Sequence, residues 1–228
     1  MNALDHPIVT ASFAIIDQEV GSHNLDPAEY AIARRVIHST ADFEFLQLLQ
    51  FSPGAIAAGI AAIQNHQPII VDVTMVRQGI LSKVGRTFQN PILTALDFAP
   101  TPEPGKTRTE TGILHCFREA PQGIYVIGNA PTALLALCDA MTNTGQKPAL
   151  IIGVPVGFVQ VEESKTRLAT MDLPYILTTG RKGGSPVAAA IVNALLNLAT
   201  LSLNPSQRGR GTLNLAPLLP SVGEGAGG

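Results

Sequence analysis

The chain has no tryptophan, and aromatic residues make up only 5% of it. Its core must therefore be filled by Ala, Ile, Leu and Val. Such a composition suits an α/β protein whose parallel strands are buried on both faces. Charge is equally scarce: Asp, Glu, Lys and Arg are 14% of the residues and the formal net charge is -2. No basic surplus invites nucleic acid or an anionic membrane, and an apolar fraction of 46% excludes a disordered chain. The two cysteines, Cys116 and Cys138, form no CxxC pair and lack metal-ligand spacing. They read as buried thiols of a reducing compartment. No basic segment leading into an apolar run opens the chain, so no signal peptide is expected. The longest strongly apolar stretch, "ALIIGVPVGFV", is shorter than the ~20 residues a bilayer requires. The expectation is a cytoplasmic protein without a membrane or nucleic-acid partner.

What is present has a clear rhythm. The 228 residues suit one large domain or two small ones, and a single domain is expected over residues 1–202. "SFAIIDQEVG" is a short amphipathic piece ended by Gly21. "DPAEYAIARRVIHSTADFEF" begins as a helix: Asp26 is placed as N-cap, Pro27 at the first turn and Glu29 at the capping-box position. Ile32, Val36 and Phe43 mark its apolar stripe, with Ala33 and Ile37 beside it. An Ala-rich helix follows over residues 53–65. Short β-branched runs then recur at 68–73, 90–96, 123–130, 148–156 and 174–179. Helical patterns separate most of them, at 74–83, 108–120, 131–143, 161–171 and 185–201. This alternation predicts βαβ units and a parallel sheet. Residues 203–228 are rich in Gly, Pro and Ser, and are expected to form a flexible tail.

In such a sheet ligands bind beyond the carboxyl ends of the strands, so the residues after each strand are the candidates. The first of these turns offers Asp72, with Thr74 and Arg77 further on. "IGNAPTAL" offers Gly128 and Asn129, and "GVPVGFVQVEESK" offers Gly157. The last, "TTGRKGGSPVAAA", offers Gly180, Arg181, Gly183, Gly184 and Ser185. Its glycines allow close approach, its helix N-terminus favours an anion and Arg181 and Lys182 add positive charge. It matches neither a P-loop nor GxGxxG, so carboxylate and phosphate remain equally good ligands, and a turn that only packs tightly remains open too. His38 stands out among the histidines. Asp42, four residues on, is expected on the same helical face, where it can orient the ring, and Arg35 lies three residues before. A solvent-facing pair is the plainer alternative. No metal cluster, GxSxG or HExxH is present. These residues alone describe an α/β protein that binds an anionic small molecule.

Taken in order, "SFAIID", "ARRVIHSTADFEF", "PIIVDVTMVRQGI", "IGNAPTAL", "GVPVGFVQVEESK" and "GRKGGSPVAAAIVNAL" resemble the precorrin-8X methylmutase family over roughly residues 10–200. The resemblance implies a flavodoxin-like three-layer α/β/α sandwich and an isomerase of cobalamin biosynthesis. It implies that a methyl group moves between adjacent carbons of a corrin precursor, with no protein cofactor or metal. It also implies a homodimer with the tetrapyrrole near the subunit interface. By the same resemblance His38 is the catalytic acid–base group, and Ser12, Arg35 and Arg108 bind substrate. A polycarboxylate macrocycle needs several separate anion sites, which fits glycine-rich turns and dispersed arginines better than one phosphate does. "STADFEF" is similar to the branch acting on the cobalt-bearing substrate. The competing readings are a tetrapyrrole-binding protein without chemistry and a nucleotide-binding enzyme using "TGRKGGS".

Overall fold

A computed structural model describes residues 7–203, so the expected tail at 203–228 lies outside the described residues but for Leu203, which ends the last helix. Two helices, α1 (Pro7–Val20) and α2 (Pro27–Thr40), precede the sheet. The start of α2 follows its sequence signals: Pro27 opens it and the Glu29 carboxylate accepts the Asp26 amide at 3.1 Å. After a single helical turn, α3 (Phe45–Leu48), come β1 (Leu49–Phe51) and α4 (Ala55–Gln64). Strands and helices then alternate through β2 (Ile69–Val71), α5 (Thr74–Arg86), β3 (Ile92–Thr94), a 3-10 turn (Ala95–Phe98) and α6 (Arg108–Glu119). The series ends with β4 (Ile124–Ile127), α7 (Pro131–Thr144), β5 (Leu150–Gly153), α8 (Val161–Ala169), β6 (Tyr175–Thr178) and α9 (Ser185–Leu203).

The six strands form one sheet in the order β1-β6-β5-β4-β2-β3. The five strands read from the sequence are all parallel, with Ile70 opposite Leu93 and Tyr125. The edge strand β1 runs antiparallel to β6, with Leu49 opposite Thr178. It was not expected: three residues behind one helical turn carry no alternation to read. Successive residues of each strand point to opposite faces. Ile69, Val71, Ile124, Val126, Leu150, Ile152 and Ile176 pack with α1, α2, α4, α5 and α9. Ile70, Tyr125, Ile127, Ile151 and Leu177 pack with α6, α7 and α8.

Two expectations are corrected. Helix α2 stops at Thr40, with Ala41 in the left-handed region at φ 53°, so Asp42 and Phe43 lie beyond it. Ser39 and Thr40 both turn their hydroxyls back onto the Val36 carbonyl (2.9 Å each), and Thr40 Oγ1 then accepts the Asp42 amide. Such side-chain competition with the backbone ends helices. The second correction concerns α9, which at 19 residues is longer and more uniformly apolar than "ALIIGVPVGFV" and long enough to cross a bilayer. Most of it is buried instead, against α2, α4 and α5.

Candidate active site

The carboxyl ends of the parallel strands carry three features. At the switch point between β2 and β4, where the winding direction reverses, Asp72 is fully buried. Its carboxylate accepts the amides of Gly128 (3.1 Å), Asn129 (2.7 Å) and Ala130 (2.9 Å). Burial pushes this carboxyl upward from its ordinary range, and the amides of Ala130, Asn129 and Gly128 pull it back. These amides lead into α7, so the protein's own carboxylate occupies the anion position that a helix start offers. Gly128 itself is a packing residue here: a Cβ would lie 2.9 Å from both Ala188 and Val76.

The second feature is the turn between β6 and α9. Gly183 lies against the exit of β5, where an added Cβ would sit 2.3 Å from the Val154 carbonyl oxygen. Gly184 adopts φ 109° and donates to the same carbonyl at 2.8 Å. Gly184 and Ser185 are buried, and Ser185 is the first residue of α9 rather than the residue ahead of it. Gly180, at φ 65°, has open space around it. Arg181 faces outward, with its guanidinium 3.6 Å from the Glu162 carboxylate and over the Phe158 ring. Phe158 and Val159 are 84% and 78% exposed. Their loop is tied to the turn through Gly157, whose amide donates to the Arg181 carbonyl at 3.3 Å.

The third feature is the corner between α1 and α2. Ser12 Oγ lies 2.8 Å from His38 Nδ1, and the Phe13 ring meets the imidazole edge-on. Both Ser12 and His38 are half-buried. Asp17 clasps the two helices by accepting from the Tyr30 hydroxyl (2.6 Å) and from Arg34 (2.8 Å), and Arg34 stacks over Phe13. Arg35 lies one helical turn before His38 and is half-buried. Asp42 does not orient His38. It pairs with Lys182 at 2.7 Å, with Glu44 beside it at 3.1 Å from the same ammonium. That bond holds the Asp42 carboxyl below its usual range. The expected ring orienter was an acid four residues on. The observed one is a serine 26 residues earlier, from another helix.

Through Lys182 the β6–α9 turn and the end of the His38 helix are in contact. Arg108 is not brought to them. It opens α6, on the opposite face of the sheet, and donates to the carbonyls of Ala99 (2.9 Å) and Leu96 (3.4 Å). Sequence reasoning did not single out Lys165, the end of "VEESK". Its side chain is buried beneath the last turn, and a lysine in a helical pattern carries no sign of that. Among the described residues no group of three His, Cys, Asp or Glu is placed to hold a metal.

Comparison with known proteins extends this picture. A family model described as precorrin-8X methylmutase matches residues 7–198. Cobalt-precorrin-8 methylmutase of Synechocystis sp. is 58% identical over 213 residues, covering 87% of this chain and 98% of the relative. Precorrin-8X methylmutase of Pseudomonas aeruginosa is 39% identical over 194 residues, covering 82% and 93%. The crystal structure of a precorrin-8X methylmutase from Thermus thermophilus superposes with a TM-score of 0.79 at 41% identity, covering 86% of this chain and 96% of that one.

Proposed function

The chain belongs to the precorrin-8X methylmutase family, isomerases of cobalamin biosynthesis, and from that premise we propose that His38 is the acid–base group acting on a cobalt-bearing precorrin. The cobalt is part of the substrate, and the relative that is 58% identical is named for that form. The observation that carries the assignment of His38 is the 2.8 Å contact from Ser12 Oγ to Nδ1. It engages one ring nitrogen inside the protein and leaves Nε2 on the far side of the ring, turned away from Ser12. A histidine oriented in this way can deliver a proton to the macrocycle and take it back. Protonation makes the ring system electron-poor. The methyl group then migrates to the adjacent carbon with its bonding pair, so no atom enters or leaves.

The surrounding residues divide into those that meet substrate and those that hold the protein. We assign Ser12 and Arg35 to the first group, with Arg181 at the rim. Gly180 and Gly157 allow the rim its shape. Asp72, Gly128, Gly183 and Gly184 are assigned to building the turns, since their polar groups or space are already taken up by the protein. Asn129 and Ser185 are assigned with them, Asn129 for its backbone amide on Asp72 and Ser185 for its buried place at the start of α9. Arg108 is a binding residue only by family resemblance. A flavodoxin-like three-layer scaffold is part of the same proposal, supported by the strand order and by core clusters on both sheet faces. So is a homodimer, supported by exposed Val156, Phe158 and Val159 beside the rim and exposed Ile8 and Ile15 on α1. A cytoplasmic setting fits the two buried, unpaired cysteines.

The experiment is incubation with cobalt-precorrin-8 and, separately, with metal-free precorrin-8X, followed by mass spectrometry and NMR of the product. The expected product has unchanged mass and a methyl group moved to the adjacent carbon, formed faster from the cobalt form. Recovery of unrearranged macrocycle from both would reject the reading.

A further inference from the structure

Lys165 is a buried charge on the rim side that the proposed chemistry leaves unused. It lies on α8 and is 3% exposed. Its ammonium donates to the carbonyls of Gly180 and Lys182, each at 2.8 Å. Among the described residues Glu162 supplies only a longer-range attraction. Removing an ammonium from water without a paired carboxylate is costly. Burial accordingly lowers its pKa to about 8. An apolar side chain would serve helix packing better, as Leu168 does one turn on.

The contacts show what the ammonium achieves. Three consecutive carbonyls of the last turn are held: Gly180 by Lys165, Arg181 by the Gly157 amide, and Lys182 by Lys165 and by Thr178 Oγ1 at 2.8 Å. With its carbonyls fixed from below, the turn presents the side chains of Arg181 and Lys182 outward, 60% and 45% exposed. Lys182 then reaches the loop that follows the His38 helix. We infer that Lys165 is a positioning residue for substrate recognition: it fixes the backbone of residues 180–182 so that Arg181 meets a carboxylate of the macrocycle. It touches no substrate itself. The inference rests on the reading that this rim binds a substrate carboxylate.

Steady-state kinetics with cobalt-precorrin-8 at pH 7 test it. Lys165→Met should raise KM about tenfold and leave kcat within about twofold, because the contact it supports persists in ground and transition states. Arg181→Ala should do the same. The double variant should stay near tenfold instead of reaching about a hundredfold, since both changes remove one interaction. If Arg181→Ala leaves KM unchanged, the carboxylate reading of the rim fails and this inference falls with it. If Arg181→Ala raises KM but Lys165→Met does not, or if the two effects multiply, the positioning role alone is overturned. Should Lys165→Met fail to fold, Thr178→Val carries the test. It removes the other side-chain donor to the Lys182 carbonyl while keeping its shape, and should raise KM about threefold in the wild-type background but not in Arg181→Ala. An unchanged KM there overturns the proposal.

Discussion

Two turns at the same edge of the sheet are each stapled by a buried charge, and the charges are opposite. After β4, the Asp72 carboxylate gathers three backbone amides. After β6, the Lys165 ammonium gathers two backbone carbonyls. The first staple uses up donor groups and places a negative charge where an anion would bind. The second uses up acceptor groups and leaves two cationic side chains on the surface. On the proposed reading a substrate carboxylate meets the second turn, through Arg181, and not the first, although both are glycine-bearing turns leading into a helix. The two turns share their glycines and differ in the sign of the buried charge that holds them.

The largest expected effect tests the premise that chemistry belongs to neither turn but to the α1–α2 corner. His38→Ala should lower kcat by ~10²–10⁴-fold, the usual weight of a positioned acid or base, while the macrocycle still binds by equilibrium titration. Near-normal turnover would move the chemistry elsewhere and leave the contrast between the turns without a site to serve.

Asp72→Ala comes next. It leaves three amides without their acceptor in a buried position, which should cost about 3 kcal/mol in urea denaturation. The protein that remains folded should keep its KM. A raised KM with unchanged stability would mean that substrate meets this turn as well.

Within the open turn, two glycines sharpen the comparison. Gly183→Ala forces a methyl group against the Val154 carbonyl, 2.3 Å away, and should destabilise by about 2 kcal/mol. Gly180→Ala meets open space and carries only the left-handed strain of φ 65°, about 1 kcal/mol. Melting curves of the pair should keep this order. A reversed order would place the tight packing at the wrong end of the turn.

The smallest effect reads the lysine staple by pH. Burial lowers the Lys165 pKa from 10.5 to about 8, so between these values the folded state has released a proton that the unfolded chain keeps. Stability then rises with pH across that window, by at most about 1.4 kcal/mol per unit. From about pH 9 upward Cys116 and Cys138, pushed by burial up to about 12, act the other way. There the folded state keeps protons that the unfolded state loses. The interval from pH 8 to 9 therefore carries the lysine's signature. The wild-type denaturation midpoint should rise across it, and that of Lys165→Met should not. Parallel curves would show that Lys165 titrates as an exposed lysine does.

Local information sufficed wherever a pattern repeats along the chain. Five strands announced themselves by β-branched runs, and the intervening helices by the pattern between them. Asp26, Pro27 and Glu29 marked the start of α2, because capping involves neighbours in sequence. The order of motifs sufficed for the family, and residue type sufficed to raise His38 as a candidate. Only the tertiary structure decided what each polar group faces. The sequence placed Asp42 one helical turn from His38, but two back-bonding hydroxyls end the helix first and Lys182 takes the carboxylate. Ser12 came to His38 from another helix because the Asp17–Arg34 clasp packs α1 on α2. Neither Asp72, at the end of an apolar strand, nor Lys165, within the charged helix "VEESKTRLA", shows its partners in sequence. Their partners are backbone groups 56 and 15 residues away, and no local pattern encodes a hydrogen bond that only the folded sheet brings within reach.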